Sequence, residues 1–185
     1  PAGNNQNNPP PAVNNPVPFA LTPNLVNVND VIDYSTKEGM LLFKTATDPL
    51  PVSYDGESRN IILFIEEVKA RAQSSGWSNI VSFTVGADTL NIFNDHGRYT
   101  MDQLNAHVAT YVNTNTRAAQ NSMQMYLCLS KSITDEGKAK LANEAASYTI
   151  NGITSGPLFF KLMVSKAIVD NNSTTSHLKE QLASL

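Results

Sequence analysis

The chain has 185 residues, and its 13 Lys and Arg residues against 16 Asp and Glu give a formal net charge of -3. This length is enough for one compact domain that buries roughly 70% of the surface its unfolded chain exposes. The single cysteine, Cys128, excludes an intramolecular disulfide framework and any zinc site built from several thiols. Only 16% of the residues are charged and the basic ones are scattered, which argues against tight intrinsic binding of nucleic acid.

Targeting and membrane signals are missing from this sequence. It contains no apolar run of about 20 residues, the length that a helix needs to cross a bilayer. It does not open with the charged, apolar and small-residue pattern of a secretory signal peptide. A single cysteine also fits a reducing compartment. We therefore expect a cytoplasmic protein without a membrane partner.

Residues 1–24 are rich in Asn and Pro, which predicts an extended N-terminal arm. This segment has too few apolar residues to form a core of its own. Apolar side chains in and just after it can bind a groove on a neighbouring subunit, and we treat residues 25–185 as the helical domain. The candidate self-association residues are Phe19, Leu21, Leu25 and Val26.

The segment from Leu25 to Pro51 contains two apolar clusters before the helix-breaking sequence Asp48-Pro49-Leu50-Pro51. The first cluster fits a short extended or helical piece. The second, Gly39-Met40-Leu41-Leu42-Phe43, also leaves the type of element open. We place the entry into the folded domain here.

A helix of about five turns is predicted between Gly56 and Gly76, and Ser58 can cap its N-terminus. Trp77 follows Gly76 directly. A large aromatic side chain at this point can fold back on the apolar face of the helix, so we predict that Trp77 is a core anchor. The alternative is that Trp77 is an exposed interface residue. The apolar face consists of Ile61, Ile62, Phe64, Ile65, Val68 and Ala72.

Residues 79–95 fit either a short strand or a helical turn, and we interpret them as helical. Beyond them, Thr100 and Gln103 have the spacing of a capping box. A helix is therefore predicted from there to about Asn113.

The last third of the chain combines helices with one hairpin signal. A helix is predicted over Arg117–Ser130, and a second cap at Thr134 begins another. Asn151-Gly152 between β-branched residues predicts a hairpin. Pro157 suits the first turn of a further helix, and a final helix is expected over residues 178–185. The fold class is therefore mainly α, a bundle of about five to seven helices with one small β-hairpin.

No motif in the sequence supports catalysis or metal binding. The three histidines, His96, His107 and His177, lack the spacing of zinc ligands. Asp95-His96 is better interpreted as part of a turn than as half of a catalytic pair. Asp88-Thr89 resembles the dipeptide of aspartic proteases, but Leu90 stands where those enzymes have glycine. We therefore expect no catalytic, cofactor-binding or metal-binding residue.

Several stretches, in this order, resemble the Gag protein of copia-type retrotransposons, especially the algal and diatom branch. The similarity covers about Tyr54 to Leu185, and Thr174-Thr175 with Leu178-Lys179 and Leu182 is similar to the Gag segment after the central helices. The main stretches are Tyr54-Asp55-Gly56-Glu57-Ser58-Arg59 leading to Gly76-Trp77, Thr116-Arg117-Ala118-Ala119-Gln120-Asn121-Ser122 with Met125-Tyr126, and Tyr148-Thr149-Ile150-Asn151-Gly152 with Ser155-Gly156-Pro157.

The resemblance implies a capsid protein whose N-terminal lobe is helical and whose copies polymerise into a virus-like particle around retrotransposon RNA. The chain is expected to end near the start of the second lobe. It lacks the zinc knuckle C-x2-C-x4-H-x4-C, so RNA is expected to be packaged indirectly or through a nucleocapsid region outside this sequence. Two alternatives stay open: a Gag-derived module that binds a host protein without forming shells, and an enzyme whose site the sequence does not reveal.

Overall fold

The computed structural model describes residues 29–168, with the exception of the Ser58 side chain, and in this range the chain is mainly helical. Two short 3-10 turns, Ser58–Asn60 and Ala145–Tyr148, precede α2 and β3. The helices are α1 (Lys37–Thr47), α2 (Ile61–Ser75), α3 (Ser78–Val81), α4 (Met101–Ala109), α5 (Arg117–Lys131), α6 (Asp135–Leu141) and α7 (residues 156–168). The strands are β1 (Ser82–Val85), β2 (Asp88–Asn91), β3 (Thr149–Ile150) and β4 (Ile153–Thr154).

The core lies between α2, α5 and α7, because each of these helices contributes side chains that are almost fully buried. Tyr54 ties the loop before α2 to the other two helices. Its backbone N–H donates to Ser132 O (2.7 Å), and its hydroxyl donates to Met163 O (3.0 Å). The largest fully buried side chains of the three helices are Phe64, Gln124, Met125, Leu129, Leu158, Phe160 and Met163.

The predicted helix ends agree with the structure where the signal is local. Thr100 and Gln103 form the capping box, and the Thr134 side chain accepts a hydrogen bond from Gly137 N. Gly76 ends α2 with a left-handed φ of 71°, which glycine adopts without strain. α4 ends at Ala109 rather than near Asn113. α2 begins at Ile61 with Asn60 at its N-cap, so the prediction that Ser58 caps this helix is wrong; Ser58 begins the 3-10 turn that precedes it.

The hairpin predicted at Asn151-Gly152 is confirmed. β3 and β4 pair antiparallel, and Ile150 lies opposite Ile153. Both turn residues have positive φ, 51° for Asn151 and 81° for Gly152. This is the geometry of a two-residue turn that matches the twist of the strands. The helix that begins with Pro157 in its first turn follows directly as α7.

The interpretation of residues 79–95 as helical is wrong over most of this range. Only α3 is helical, and the chain then forms a second hairpin in which Phe83 lies opposite Leu90. Both of these side chains are buried. The Phe83 ring packs edge-on against Tyr99, with a centroid distance of 5.1 Å. Burial of alternate positions therefore outweighs the helical spacing of the later apolar residues.

The predicted arm (1–24) and the final helix (178–185) lie outside the described residues. The segment from Leu25 to Pro51, whose type of element the sequence does not determine, contains α1. The Thr36 side chain caps this helix by accepting a hydrogen bond from Gly39 N (3.0 Å).

Candidate assembly surface

α1 buries small residues and exposes large apolar ones. Met40 is 56% exposed and Leu41 is 65% exposed, and Leu42 is also exposed. A helix in a globular domain usually does the reverse, because large apolar side chains gain most from burial. Neighbouring exposed apolar residues of this kind commonly mark an interaction surface. The buried positions of α1 are Gly39, Ala46 and Thr47.

Polar contacts fix the C-terminal end of α1 to the body. The Arg71 guanidinium donates from Nη1 to Thr45 O (2.7 Å) and to Asp48 O (2.8 Å). The Lys131 ammonium donates to Thr47 O (2.9 Å). These cations satisfy carbonyl groups that have no partner within the helix, and they also match the negative end of its dipole. α1 is therefore positioned without burial of its large side chains.

An apolar pocket lies beside the exposed residues of α1 and is lined by Tyr34, Met40 and Phe43. The Tyr34 and Phe43 rings meet edge to face, with a centroid distance of 5.1 Å. Aromatic rings and a methionine thioether together favour an aromatic or aliphatic side chain as the occupant. We call the set Tyr34, Met40, Leu41 and Phe43 the α1 apolar surface.

A chain of hydrogen bonds connects the pocket to the core. The Trp77 indole N–H donates to Gln124 Oε1 (3.2 Å), and Gln124 Nε2 donates to the Tyr34 hydroxyl (3.0 Å). Trp77 and Gln124 are both buried, whereas Tyr34 is half-buried. Burial raises the pKa of Tyr34, so its hydroxyl stays protonated at neutral pH. One wall of the pocket is therefore fixed by a buried, neutral network.

Side chains at the start of α5 hold the segment that leads into α1. The Gln120 amide makes two hydrogen bonds to the backbone of Ile32, accepting from its N–H (2.7 Å) and donating to its carbonyl (2.8 Å). Arg117 Nη1 donates to Asp30 O (3.2 Å), and Arg117 Nε donates to Asn121 Oδ1 (2.9 Å). These three side chains belong to one of the stretches that resemble Gag. In this chain they determine where the N-terminal segment enters the domain.

A second exposed apolar pair lies at the start of α2. Ile62 is 74% exposed and Leu63 is 54% exposed, while Ile61 and Phe64 on either side of them are buried. α2 thus inserts one face into the core and presents large aliphatic side chains on another. The described part of the chain therefore offers two apolar surfaces on different helices.

The structure tests the prediction for Trp77 but not the prediction for the arm residues. Trp77 has no exposed surface and lies in the core, so it is not a surface residue of the folded chain. The arm candidates lie outside the described residues, and their role stays a prediction; they are Phe19, Leu21, Leu25 and Val26.

The acidic residues singled out by sequence make structural contacts. Asp95 accepts hydrogen bonds from Asn91 N (2.9 Å) and from Arg98 (3.1 Å), and the backbone hydrogen bond is the main reason why the pKa of Asp95 is lowered. Arg98 also pairs with Asp88 at 3.3 Å. His96 and the residue after it form a turn, as predicted. These contacts close the loop that follows β2.

The thiol of Cys128 is buried against the loop after α1. It donates a hydrogen bond to Asp48 O (3.3 Å), and burial raises its pKa to about 11. The thiol therefore stays protonated at neutral pH, and its reactivity is low. Within residues 29–168, no group of three or more His, Cys, Asp or Glu side chains could hold a metal ion. None of the helices described in this range is long and apolar enough to cross a bilayer.

Runs of consecutive large apolar residues in the sequence indicate which helices expose such residues. The arm residues predicted as the interface lie outside these runs. Four consecutive large apolar residues cover about 300° of a helix, since each residue advances by about 100°. A helix that packs on one side cannot bury all of them. Met40-Leu41-Leu42-Phe43 is such a run, and Ile61-Ile62-Leu63-Phe64-Ile65 is another.

Comparisons with protein-family models, with curated proteins and with solved structures find no match. The functional interpretation therefore rests on the geometry of the chain itself and on the resemblance of its sequence stretches. This geometry is that of a mainly helical domain with large apolar side chains exposed on α1 and α2.

Proposed function

We propose that this chain is a structural capsid protein of the Gag type, whose copies assemble into a virus-like particle shell that encloses retrotransposon RNA. The observation that carries the proposal is the inverted burial of α1, where Met40 and Leu41 are exposed while Gly39 and Ala46 are buried. The sequence stretches that resemble copia-type Gag give the same class of protein. Identical copies that bury these side chains on one another form the structural unit.

A shell requires each copy to have more than one contact surface. A single self-complementary surface closes a dimer, whereas a lattice needs at least one further interface on another part of the molecule. Exposed apolar residues on α1 and on α2, such as Leu41 and Ile62, supply two candidate surfaces. The low net charge of -3 leaves little long-range repulsion between copies.

The proposal includes no catalytic step, cofactor, metal or small-molecule substrate. Asp95, half of the candidate catalytic pair, instead accepts structural hydrogen bonds from Asn91 N and from Arg98. Assembly in the cytoplasm suits the protonated, buried thiol of Cys128. RNA is enclosed indirectly or through a nucleocapsid region outside this sequence, because the basic residues form no cluster along the chain.

The second candidate function is that of a Gag-derived module that binds a host protein without shell assembly. The specific observation in its favour is the pocket lined by Tyr34, Met40 and Phe43, since such a pocket can accept one apolar side chain of a partner peptide. A binding module would give a defined heterocomplex and no particles. The two functions therefore differ in the size distribution of the purified protein.

Assembly is tested by substitution of the most exposed large residue of α1. Burial of one Leu side chain contributes about 1.5–3 kcal/mol, so Leu41→Asp should weaken self-association by roughly 10- to 100-fold or more. We expect light scattering and electron microscopy to show particles for the unmodified protein and mostly small species for Leu41→Asp. Circular dichroism and the melting temperature should be nearly unchanged, because Leu41 is 65% exposed.

Ala106→Asp is the matched control, because Ala106 is an exposed apolar residue on a different helix, α4. It adds the same charge and should assemble as the unmodified protein does. A monomeric unmodified protein at all concentrations and salt conditions would contradict the proposal. Equal assembly of Leu41→Asp and Ala106→Asp would show that α1 does not contribute to the interface.

A further inference from the structure

We propose that the α1 apolar surface of one copy receives the apolar N-terminal segment of a neighbouring copy, residues 17–26, with Phe19 in the pocket lined by Tyr34, Met40 and Phe43. This inference rests on the proposed self-assembly and names the segment that occupies one of its surfaces. The acceptor is described by the structure, whereas the occupant lies in residues 1–28, outside the described part.

The chemistry of the N-terminal segment matches the acceptor. Residues 1–28 contain no Asp, Glu, Lys, Arg or His, so docking on an apolar surface requires no desolvation of a charged side chain. Val17, Phe19 and Leu21 occupy alternate positions, which point to the same side of an extended chain. Pro16 and Pro18 favour this extended backbone and reduce the entropy lost on docking.

The lengths of the two partners also agree. α1 has 11 residues, which corresponds to about 16 Å of helix. Five extended residues, such as Val17 to Leu21, span about the same distance. Phe19 then supplies the aromatic ring that a pocket formed by Tyr34, Met40 and Phe43 favours.

The segment joins the described domain at the N-terminal end of α5. Three contacts show that residues 30–47 follow α5 in parallel: Arg117 with Asp30 O, Gln120 with the Ile32 backbone, and Lys131 with Thr47 O. Because a turn at Asn29 and a bend at Asp30 interrupt this direction, the choice of a neighbouring copy follows from the proposed self-assembly. Docking on the same copy is the alternative that the cysteine pair distinguishes.

The reach of the segment is sufficient for an exchange between copies. The ten residues from Phe19 to Asn29 can extend over roughly 33 Å, about the diameter of a small domain. An exchange between copies is therefore within reach of this segment.

A mixing experiment tests the exchange. The acceptor chain carries Phe19→Ser and Leu21→Ser and keeps α1 intact, and the donor chain keeps its N-terminal segment intact but carries Leu41→Asp. Both chains also carry Ile62→Asp, which removes the apolar surface on α2. Each chain alone then retains only one half of the proposed contact and should remain monomeric. Their mixture should form a 1:1 heterodimer in analytical ultracentrifugation, because one chain supplies the segment and the other supplies the surface.

Variants of the donor identify the residues that dock. Phe19→Ser in the donor should reduce heterodimer formation at least tenfold. Val13→Ser is the matched control, because it makes a similar apolar-to-polar change outside residues 17–26, and it should leave the heterodimer intact. If the unmodified chain assembles but the mixture forms no heterodimer, this inference is wrong and the proposed function is unaffected. A full-length chain that never assembles would instead contradict the proposed function.

A cysteine pair gives a second, covalent measurement of the same contact. Leu21→Cys is combined with Lys37→Cys or Lys44→Cys, one helical turn before or after Met40, so that Phe19 and the pocket residues stay intact. The two cysteines are placed on two chains of different size, or together on one chain. Mild oxidation should link the two chains, which a gel detects as a band at their summed mass. A disulfide formed only within the doubly substituted chain would show docking on the same copy. A failure to link in either arrangement would show no docking. Both results would overturn the inference.

Discussion

The indole of Trp77 provides the sharpest test of the packing between α2 and α5. Its side chain has no exposed surface, and its Nε1 donates to the buried Gln124 Oε1 at 3.2 Å. Trp77→Ala removes the ring and leaves a cavity, which costs about 3–5 kcal/mol. We expect a value at the upper end of this range, because Gln124 Oε1 also loses its donor.

A second substitution separates the hydrogen bond from the cavity. Trp77→Phe keeps most of the aromatic volume but leaves Gln124 Oε1 without this donor, which costs about 1–3 kcal/mol for a buried group. For a chain of this size, each kcal/mol lowers the melting temperature by about 2–4 °C. Trp77→Ala should therefore melt about 10–20 °C below the unmodified protein, with Trp77→Phe between the two.

The assay is urea denaturation followed by far-ultraviolet circular dichroism, because Trp77 is the only tryptophan and its fluorescence is lost in both variants. Ser78→Ala is the control, since Ser78 is exposed and such changes usually alter stability by less than about 0.5 kcal/mol. A loss below about 1 kcal/mol for Trp77→Ala would refute the packing argument. Emission typical of a solvated indole from the unmodified protein would refute it as well.

Three further predictions concern pH, metals and nucleic acid. His107 Nε2 is buried without a hydrogen-bond partner among the described residues, and burial lowers the pKa of His107. The free energy of unfolding should therefore fall as the pH drops below about 6.5. Urea midpoints between pH 5 and 7.5 measure this decrease, which should be smaller in His107→Phe. A chelator should leave the melting temperature unchanged, and a clear decrease would reveal a structural metal. Binding of RNA at physiological salt should be weak and independent of sequence in fluorescence anisotropy, so nanomolar affinity with a steep salt dependence would contradict this prediction.

Features that depend on residues within four positions of one another were predictable from the sequence. The capping box of Thr100 and Gln103 and the positive-φ turn of Asn151 and Gly152 are of this type. In both cases the local residues themselves satisfy the backbone groups or adopt the required dihedral angles. Their position relative to the rest of the chain does not alter the outcome.

The β1–β2 hairpin was not predicted because its residues fit two patterns. Phe83 and Leu90 are buried on one side of the hairpin, and Phe83 contacts Tyr99, which belongs to a later loop. The turn contains Gly86, whose φ of 63° a glycine adopts easily. Since the deciding contact is distant along the chain, local spacing alone could not distinguish strand from helix.

The candidate site shows a different limit of sequence reasoning. A run of apolar residues indicates that part of a helix is exposed, but the sequence does not say which residues of the run these are. In α1 this depends on Gly39 and Ala46, which face the body. A Cβ at Gly39 would lie only 1.9 Å from Asp33 O, so this face of the helix must approach the preceding turn closely. The larger residues are thereby directed outward.

The contacts that position α1 are separate from the side chains that it exposes. Arg71 and Lys131 bind its C-terminal carbonyls, and its small residues face the body. Met40 and Leu41 consequently contribute little to the stability of the isolated fold, whereas each gains apolar burial when another chain covers it. In α2, by contrast, Phe64 and Val68 are core residues, and truncation of either should destabilise the domain by a few kcal/mol, about 3–5 for Phe64→Ala. Substitutions in α1 can therefore change association without changing the fold, which makes this helix the element on which self-assembly can be tested independently of stability.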